Sequence, residues 1–449
     1  MNRASRIPHA AARRPQSGFT LVELMISMVL GLFVVLALLT LLINVNRNNS
    51  EMTKSNRVIE NGRFSIQLLE SDISHAGFWA GFLPLFDDLT ATGMPADVPR
   101  DDAGPPAVTA VPDPCADWAA LAANPAAMAV YKSNLLGIAV QAYEIPAVVP
   151  SPAVPVCASR VTAPQPGSDV LFVRHVETCA VGDAGCAGFT NNELYFQMAQ
   201  CGNAMPTPAY ALEQYTAASV DTLLPHRVRS ANCATGAFAP RHKFVSSLYY
   251  VRRFAVDDGD NVPTLMRADF SCASGTCGFG APQAVIEGIE SFRVELGIDN
   301  TSDAGFTLGT STFNTSPAGV TVAIPASAAA SASTAVIASG SAATVTWSHP
   351  TTLTSPTNRG DGIPDTYRHC TAASPCSALE LMNAVAVKLY VLTRSESTTA
   401  GHTDAKTYCM TGSCATAADR VGPFNDGYKR HLFTQTVRLV NVSNRRETP

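Results

Sequence analysis

The chain has 449 residues, enough for more than one small core, with 46% apolar and only 15% charged residues. That apolar share is ordinary for a globular protein and excludes a wholly disordered one. The formal net charge of −5 argues against nucleic acid as a main ligand, because phosphate binding needs a basic face.

Residues 1–18 carry Arg3, Arg6, Arg13 and Arg14 and no acid. They read as a leader, too short and polar to fold. The chain then turns apolar: Leu24 to Ile43 is 20 residues without a charge or a proline. That length suffices for a helix to cross the ~30 Å hydrocarbon core of a bilayer. The leader arginines set a cytoplasmic N-terminus by the positive-inside rule. Everything beyond Ile43 then lies across the membrane, which in a Gram-negative cell is the oxidising periplasm.

An ordinary secretory signal is cut after its apolar run. Here the small residue Gly18 precedes the run, so a cut after it keeps the helix on the mature chain. The stretch Gly18-Phe19-Thr20-Leu21-Val22-Glu23 resembles the class III signal of type IV prepilins and pseudopilins. That resemblance implies cleavage by a prepilin peptidase between Gly18 and Phe19 and methylation of the new amino terminus on Phe19. It also implies subunit docking, with Glu23 pairing the Phe19 ammonium of a neighbouring subunit. A carboxylate near the bilayer interface that snorkels into water is the plainer reading of Glu23. A charge buried among packed helices is expensive when unpaired, so a docking pair would set register as well as attraction.

No proline occurs from Gln16 to Leu83. After a polar stretch at Asn44 to Ser50, a stripe resumes at Met52, Ser55, Ile59, Gly62, Ile66, Leu69, Ile73 and Ala76, the spacing of one helix face. We read Phe19 to Ala76 as one rod of roughly 87 Å at ~1.5 Å per residue. Its first part, 19–43, belongs in lipid or a filament core. Its second part packs on a head domain, residues 77–449.

The run from Glu60 through Asn61-Gly62-Arg63-Phe64 to Ala76-Gly77-Phe78-Trp79 is similar to the PilW family of type IV minor pilins. Further landmarks of that family recur at Gly167 to Leu171, Tyr249 to Arg252, Ile286 to Asp299, Asp361 to Tyr367, Ala384 to Arg394 and Phe433 to Leu439. The resemblance implies a pilin-like α+β fold, a long transmembrane helix packed on a mainly antiparallel sheet. From Phe82 to Gln165 the composition predicts loops with one short helix near Ala116 to Ala123, ended by Asn124-Pro125. Strands are expected at 170–176, 193–198, 243–256, 265–270, 285–298, 384–393 and 431–440. Residues 300–357, rich in Ala, Ser and Thr, read as an exposed low-complexity insertion.

Twelve cysteines follow the apolar run. Cys179 and Cys186, Cys272 and Cys277, Cys370 and Cys376, and Cys409 and Cys414 are each spaced to close a small disulfide loop. Cys115, Cys157, Cys201 and Cys233 pair over longer distances with connectivity left open. Relatives often carry an Asp-rich calcium loop where Asp299, Asp361 and Asp365 stand; here the insertion splits it, and solvated turn acids are the competing reading. No other cofactor is expected. Neither a nucleophile elbow, a zinc-protease motif nor a phosphate loop is present, so the chain reads as no enzyme.

The resemblance thus implies a minor pilin acting in the initiation of pilus assembly and at the pilus tip. The head would be periplasmic first and on the pilus fibre later. Its partners would be other minor pilins, the major pilin, the prepilin peptidase, the inner-membrane assembly platform and, before assembly, membrane lipid. The alternatives are a type II secretion pseudopilin and a tip adhesin that binds surfaces through 300–357.

Overall fold

The computed structural model describes residues 18, 20–82, 108, 110–147, 154–200, 208–228, 236–272, 275–299 and 362–444, with four short backbone segments inside 300–361. The chain divides into two compact units, Met1–Asn56 and Arg57–Pro449.

Helix α1 is Leu21–Ile73, within the 19–76 read from the sequence. In the first unit its stretch Leu24 to Ile43 carries no charge and only Ser27 and Thr40 as polar side chains, whereas Asn44 to Asn56 is mostly polar. In the second unit Val58, Gly62, Ser65, Leu69 and Ile73 are buried. The stripe read from sequence therefore holds at Gly62, Leu69 and Ile73. It fails at Met52, 64% exposed, and at Ile59, 45% exposed, with Val58 taking the inward position beside Ile59. The helix stops where Gly77 adopts φ +73°, a left-handed value that suits glycine. Asn441, 365 residues on from Ala76, closes the end: its Nδ2 donates to the carbonyls of Ser74, His75 and Ala76 at 3.3 Å each. These carbonyls lie in the turn just past the helix end, and that of His75 also accepts from the Phe78 N–H at 3.0 Å.

Between α1 and the head strands lie α2 (Trp118–Ala122) and α3 (Pro125–Gly137). The sequence reading made Asn124-Pro125 a stop and took the following residues as loop; the structure corrects this. Asn124 is the N-cap of α3, its side chain accepting from the Ala127 N–H at 3.2 Å. Pro125 occupies the first turn, where a missing N–H costs nothing.

The first sheet has eight strands: β1 (Val140–Glu144), β2 (Asp169–Ala180), β3 (Leu194–Met198), β4 (Tyr210–Gln214), β5 (Arg241–Arg252), β6 (Thr264–Ser271), β7 (Gly278–Phe279) and β8 (Gln283–Glu287). A short helix α4 (Val220–Leu223) follows β4. The order is β1-β2-β5-β3-β4, with β6 on β5 and β7 and β8 on β6. Gly288 (φ +76°) then turns the chain into β9 (Ile289–Ile298) of a second sheet. A side chain there would meet the Arg394 carbonyl at 2.8 Å. Two backbone hairpins follow, β10 (Thr312–Asn314) with β11 (Thr321–Ala323) and β12 (Ala335–Ala338) with β13 (Ala342–Val345). The second sheet is completed by β14 (Thr366–His369), β15 (Ala384–Arg394) and β18 (Arg430–Arg438), in the order β14-β9-β15-β18. Helix α5 (Ala378–Met382) precedes β15, the small hairpin β16 (Tyr408–Cys409) and β17 (Arg420–Val421) precedes β18, and α6 (Val440–Ser443) follows it. All pairings are antiparallel.

Leu69 and Ile73 of the first helix, with Ala76 just past its end, share one core with Leu171, Val173 and Tyr249 of the first sheet and Phe292, Val294, Leu389, Val391 and Val437 of the second. A second core, of Phe172, Leu248, Tyr250 and Met266, covers the opposite face of the first sheet. Burial on both faces is why Val170-Leu-Phe-Val173 reads as a continuous apolar run instead of alternating. The loop before β18 is tied down by Arg430, whose buried guanidinium meets Glu290, Asp404 and Asp426.

Candidate functional site

The N-terminal turn is held by its own side chains. Thr20 precedes the helix, and its carbonyl accepts from the Leu24 N–H at 3.1 Å. The Glu23 carboxylate accepts from the Thr20 N–H at 3.0 Å and from its hydroxyl at 2.9 Å, while the Glu23 N–H donates to Thr20 Oγ1 at 3.3 Å. This reciprocal arrangement is a capping box. The Thr20-x-x-Glu23 spacing announces it, and the sequence reading, fixed on Gly18, Phe19 and Glu23, passed over Thr20. Gly18 is exposed with open space around it, and Phe19 lies outside the described residues.

Beyond the turn, every large apolar side chain from Leu21 to Ile43 is at least 50% exposed. The helix is long and apolar enough to cross a membrane. A helix that is apolar on every side needs lipid or other helices around it.

The far end of the helix is clamped to the head by polar contacts. Asp72 accepts from the Tyr249 hydroxyl at 2.8 Å and lies 3.1 Å from His175 Nε2. Burial pushes the Asp72 carboxyl up, but the bonds from His175 and Tyr249 outweigh it and hold the carboxyl below its ordinary value. Asn61 Nδ2 donates to the Glu287 carbonyl at 2.9 Å, and Arg57 pairs with Glu396 at 2.8 Å. Beside the clamp, a cleft of about 430 Å³ is lined by Asp72, His75, His175, Glu177 and Arg267.

The structure sets five cysteine pairs at disulfide distance: Cys115 with Cys157, Cys179 with Cys186, Cys272 with Cys277, Cys370 with Cys376 and Cys409 with Cys414. Cys201 and Cys233 lie outside the described residues. Of the acids read as a calcium set, Asp299 is fully buried and accepts from the Gly362 N–H at 3.0 Å. Asp365 is exposed, its N–H donating to the Ile298 carbonyl at 2.9 Å. Asp361 lies outside the described residues, and among the described ones no three His, Cys, Asp or Glu side chains gather as metal ligands.

A long helix with an uncharged segment of membrane-crossing length, preceded by a glycine and a capped acidic turn and packed at its far end on an antiparallel head, defines a pilin-type α+β protein. The prokaryotic N-terminal methylation motif matches residues 13–39. The family model described as type IV pilus-assembly protein W matches residues 248–322 and 344–441, which span the second sheet and its flanks. Together these are the matches of a PilW-family type IV minor pilin. Neither curated proteins nor solved structures match the chain.

Proposed function

We propose that this pilin is a minor subunit that helps start type IV pilus assembly and stays near the tip. In this reading the peptidase cuts after Gly18 and methylates Phe19, and the helix waits in the inner membrane with the head in the periplasm. The head there closes its cysteine pairs. Assembly then moves Leu24 to Ile43 from lipid into a bundle of pilin helices, where Glu23 exchanges its bonds to Thr20 for the ammonium of a neighbouring Phe19. The other minor pilins, the major pilin and the inner-membrane platform are its partners.

The observation that carries the reading is the uncharged, exposed apolar surface of residues 24–43 behind a single acid, Glu23. Such a surface is stable only in lipid or among like helices. Mass spectrometry of the mature protein tests it: the expected N-terminus is methylated Phe19. A chain beginning at Met1, or beyond Ile43 with the apolar segment discarded, refutes it. Deleting the gene separates the roles. Lost piliation supports assembly; intact piliation with failed surface attachment supports the tip-adhesin reading of 300–357.

A further inference from the structure

Residues of α2, α3, β4 and α4, with His226, line a cleft of about 650 Å³ in the head. That volume is of the order of a small-ligand site. Part of its lining is apolar and buried, from Met128, Tyr210 and Leu212. Trp118 also lines it and is only half-buried. The indole is fixed in place by edge contacts with Tyr131 and Phe270, at ring-centre distances of 6.1 and 5.9 Å. Asp117 caps the helix that begins with Trp118. The aromatic wall is thus set before any ligand arrives.

The lining carries no net charge. Lys132 of α3 is buried and pairs with Glu213 of β4 at 2.5 Å. Burial pushes His226 below its ordinary value, so its ring is neutral at neutral pH. An ion entering the cleft finds no unpaired counter-charge. What the cleft offers is hydrogen-bonding capacity. Among the described residues the Trp118 indole N–H, the Gln214 amide and the Thr222 hydroxyl have no partner, and Glu213 keeps one carboxylate oxygen free of the lysine. His226 is 8% exposed; its ring bonds the Tyr210 backbone, and its Nε2 has no partner. Donors and acceptors are mixed here, and a hydroxyl is both at once. The outer edge of β4 is closed to an extended peptide, because Leu212 is fully buried and the Tyr210 backbone is already bonded to His226.

We propose that this cleft binds an uncharged oligosaccharide, with the apolar face of one sugar ring against Trp118 and its hydroxyls shared among Glu213, Gln214 and Thr222. A sugar ring presents C–H groups on a face and hydroxyls around its rim, which matches an indole set among neutral hydrogen-bonding groups. A hydrocarbon would leave those groups unpaired, and a charged sugar would bring an uncompensated charge. The site belongs to the head, lies outside 300–357, and is independent of which pilus role the chain plays.

The test is isothermal titration calorimetry of the full-length protein, in a detergent whose head group carries no sugar. The probes are cellotriose, maltotriose and N-acetylchitotriose, with trigalacturonate as the charged comparison. The expected result is that at least one neutral probe binds with a Kd of about 1 mM or tighter. Trigalacturonate should bind about tenfold more weakly than that probe, or not at all. Gln214→Ala should weaken binding about five- to tenfold, the worth of one or two hydrogen bonds. Trp118→Ala should weaken it at least about tenfold. Thr222→Ala, at an exposed side chain without a partner, should weaken it about threefold and decides the matter if the tryptophan variant fails to fold. Glu177→Ala, at the cleft beside Asp72, should leave it unchanged. No heat from any neutral probe at about 10 mM, equal binding of trigalacturonate, or binding indifferent to both Gln214→Ala and Thr222→Ala overturns the proposal.

Discussion

The Phe433 ring of β18 occupies the space that a side chain on Gly62 of α1 would need. A Cβ built on Gly62 would fall within 2.6 Å of Cε2, Cδ2 and Cζ of that ring. Glycine weakens a helix interior by about 1 kcal/mol relative to alanine. Its presence here is explained by the close approach it allows between helix and strand.

Gly62→Ala should therefore destabilise the head although it raises helix propensity. Overpacking costs about 1–3 kcal/mol and the propensity gain returns about 1, leaving a net loss of about 1–2 kcal/mol. Denaturant unfolding of the solubilised protein, followed by tryptophan fluorescence, measures it. Phe433→Ala should lose packing on its own, and the double variant should lose less than the two single losses added, because the residues touch.

Asn441 gives a second test. Its amide serves three carbonyls at the end of α1, so Asn441→Ala should cost about 1 kcal/mol. Hydrogen exchange should rise first at the amides of the last helical turn, Glu70 to Ile73, if the cap is what holds that end.

These two contacts mark the limit of sequence reading. The helix and the β2 and β15 cores were legible from their local apolar patterns, and the family landmarks from resemblance. Gly62 was legible as a stripe position, but not its partner 371 residues away. β4 was missed because Tyr210-Ala-Leu-Glu-Gln214 is short and of mixed propensity, and it becomes a strand only by pairing with β3. β1 was hidden in a Pro- and Ala-rich stretch. Arg174 also gave no signal. It is buried at the C-terminal end of α3, donating to the Ile138 carbonyl and Gln141 Oε1 at 2.8 Å each. Burial there pulls its guanidinium down to about 10. Only the fold shows that an arginine serves as a helix cap.

Stability should depend on pH through His369. Its Nε2 lies 3.0 Å from both carboxylate oxygens of Asp169. Burial disfavours the imidazolium and Arg293 opposes it, but the Asp169 charge and hydrogen bond, with help from Glu144, leave the folded-state pKa raised. A raised pKa means that folding favours the protonated form. The contribution is complete below the unfolded value of about 6.5 and is lost as pH rises through the higher folded value. The melting temperature should fall across that upward window, and His369→Gln should flatten the change. An unaltered slope in the variant would remove His369 as its source.

The acidic turn separates two roles for Glu23 that coincide in the wild-type chain. Its carboxylate caps the helix through Thr20, and in the proposed assembly it also supplies a negative charge to a neighbour. Glu23→Gln keeps an acceptor oxygen for the Thr20 N–H and hydroxyl and removes the charge. Thr20→Ala keeps the charge and removes the hydroxyl half of the box, at about 1 kcal/mol of local helix stability. If charge pairing drives docking, the glutamine variant is cleaved after Gly18 yet nearly absent from sheared pili, whereas the alanine variant enters them at close to wild-type level. Immunoblots of the sheared fraction against the membrane fraction read the ratio. Equal incorporation of the glutamine variant would reduce Glu23 to a helix cap, because an uncharged amide cannot replace the attraction between a carboxylate and an ammonium in a water-poor helix bundle.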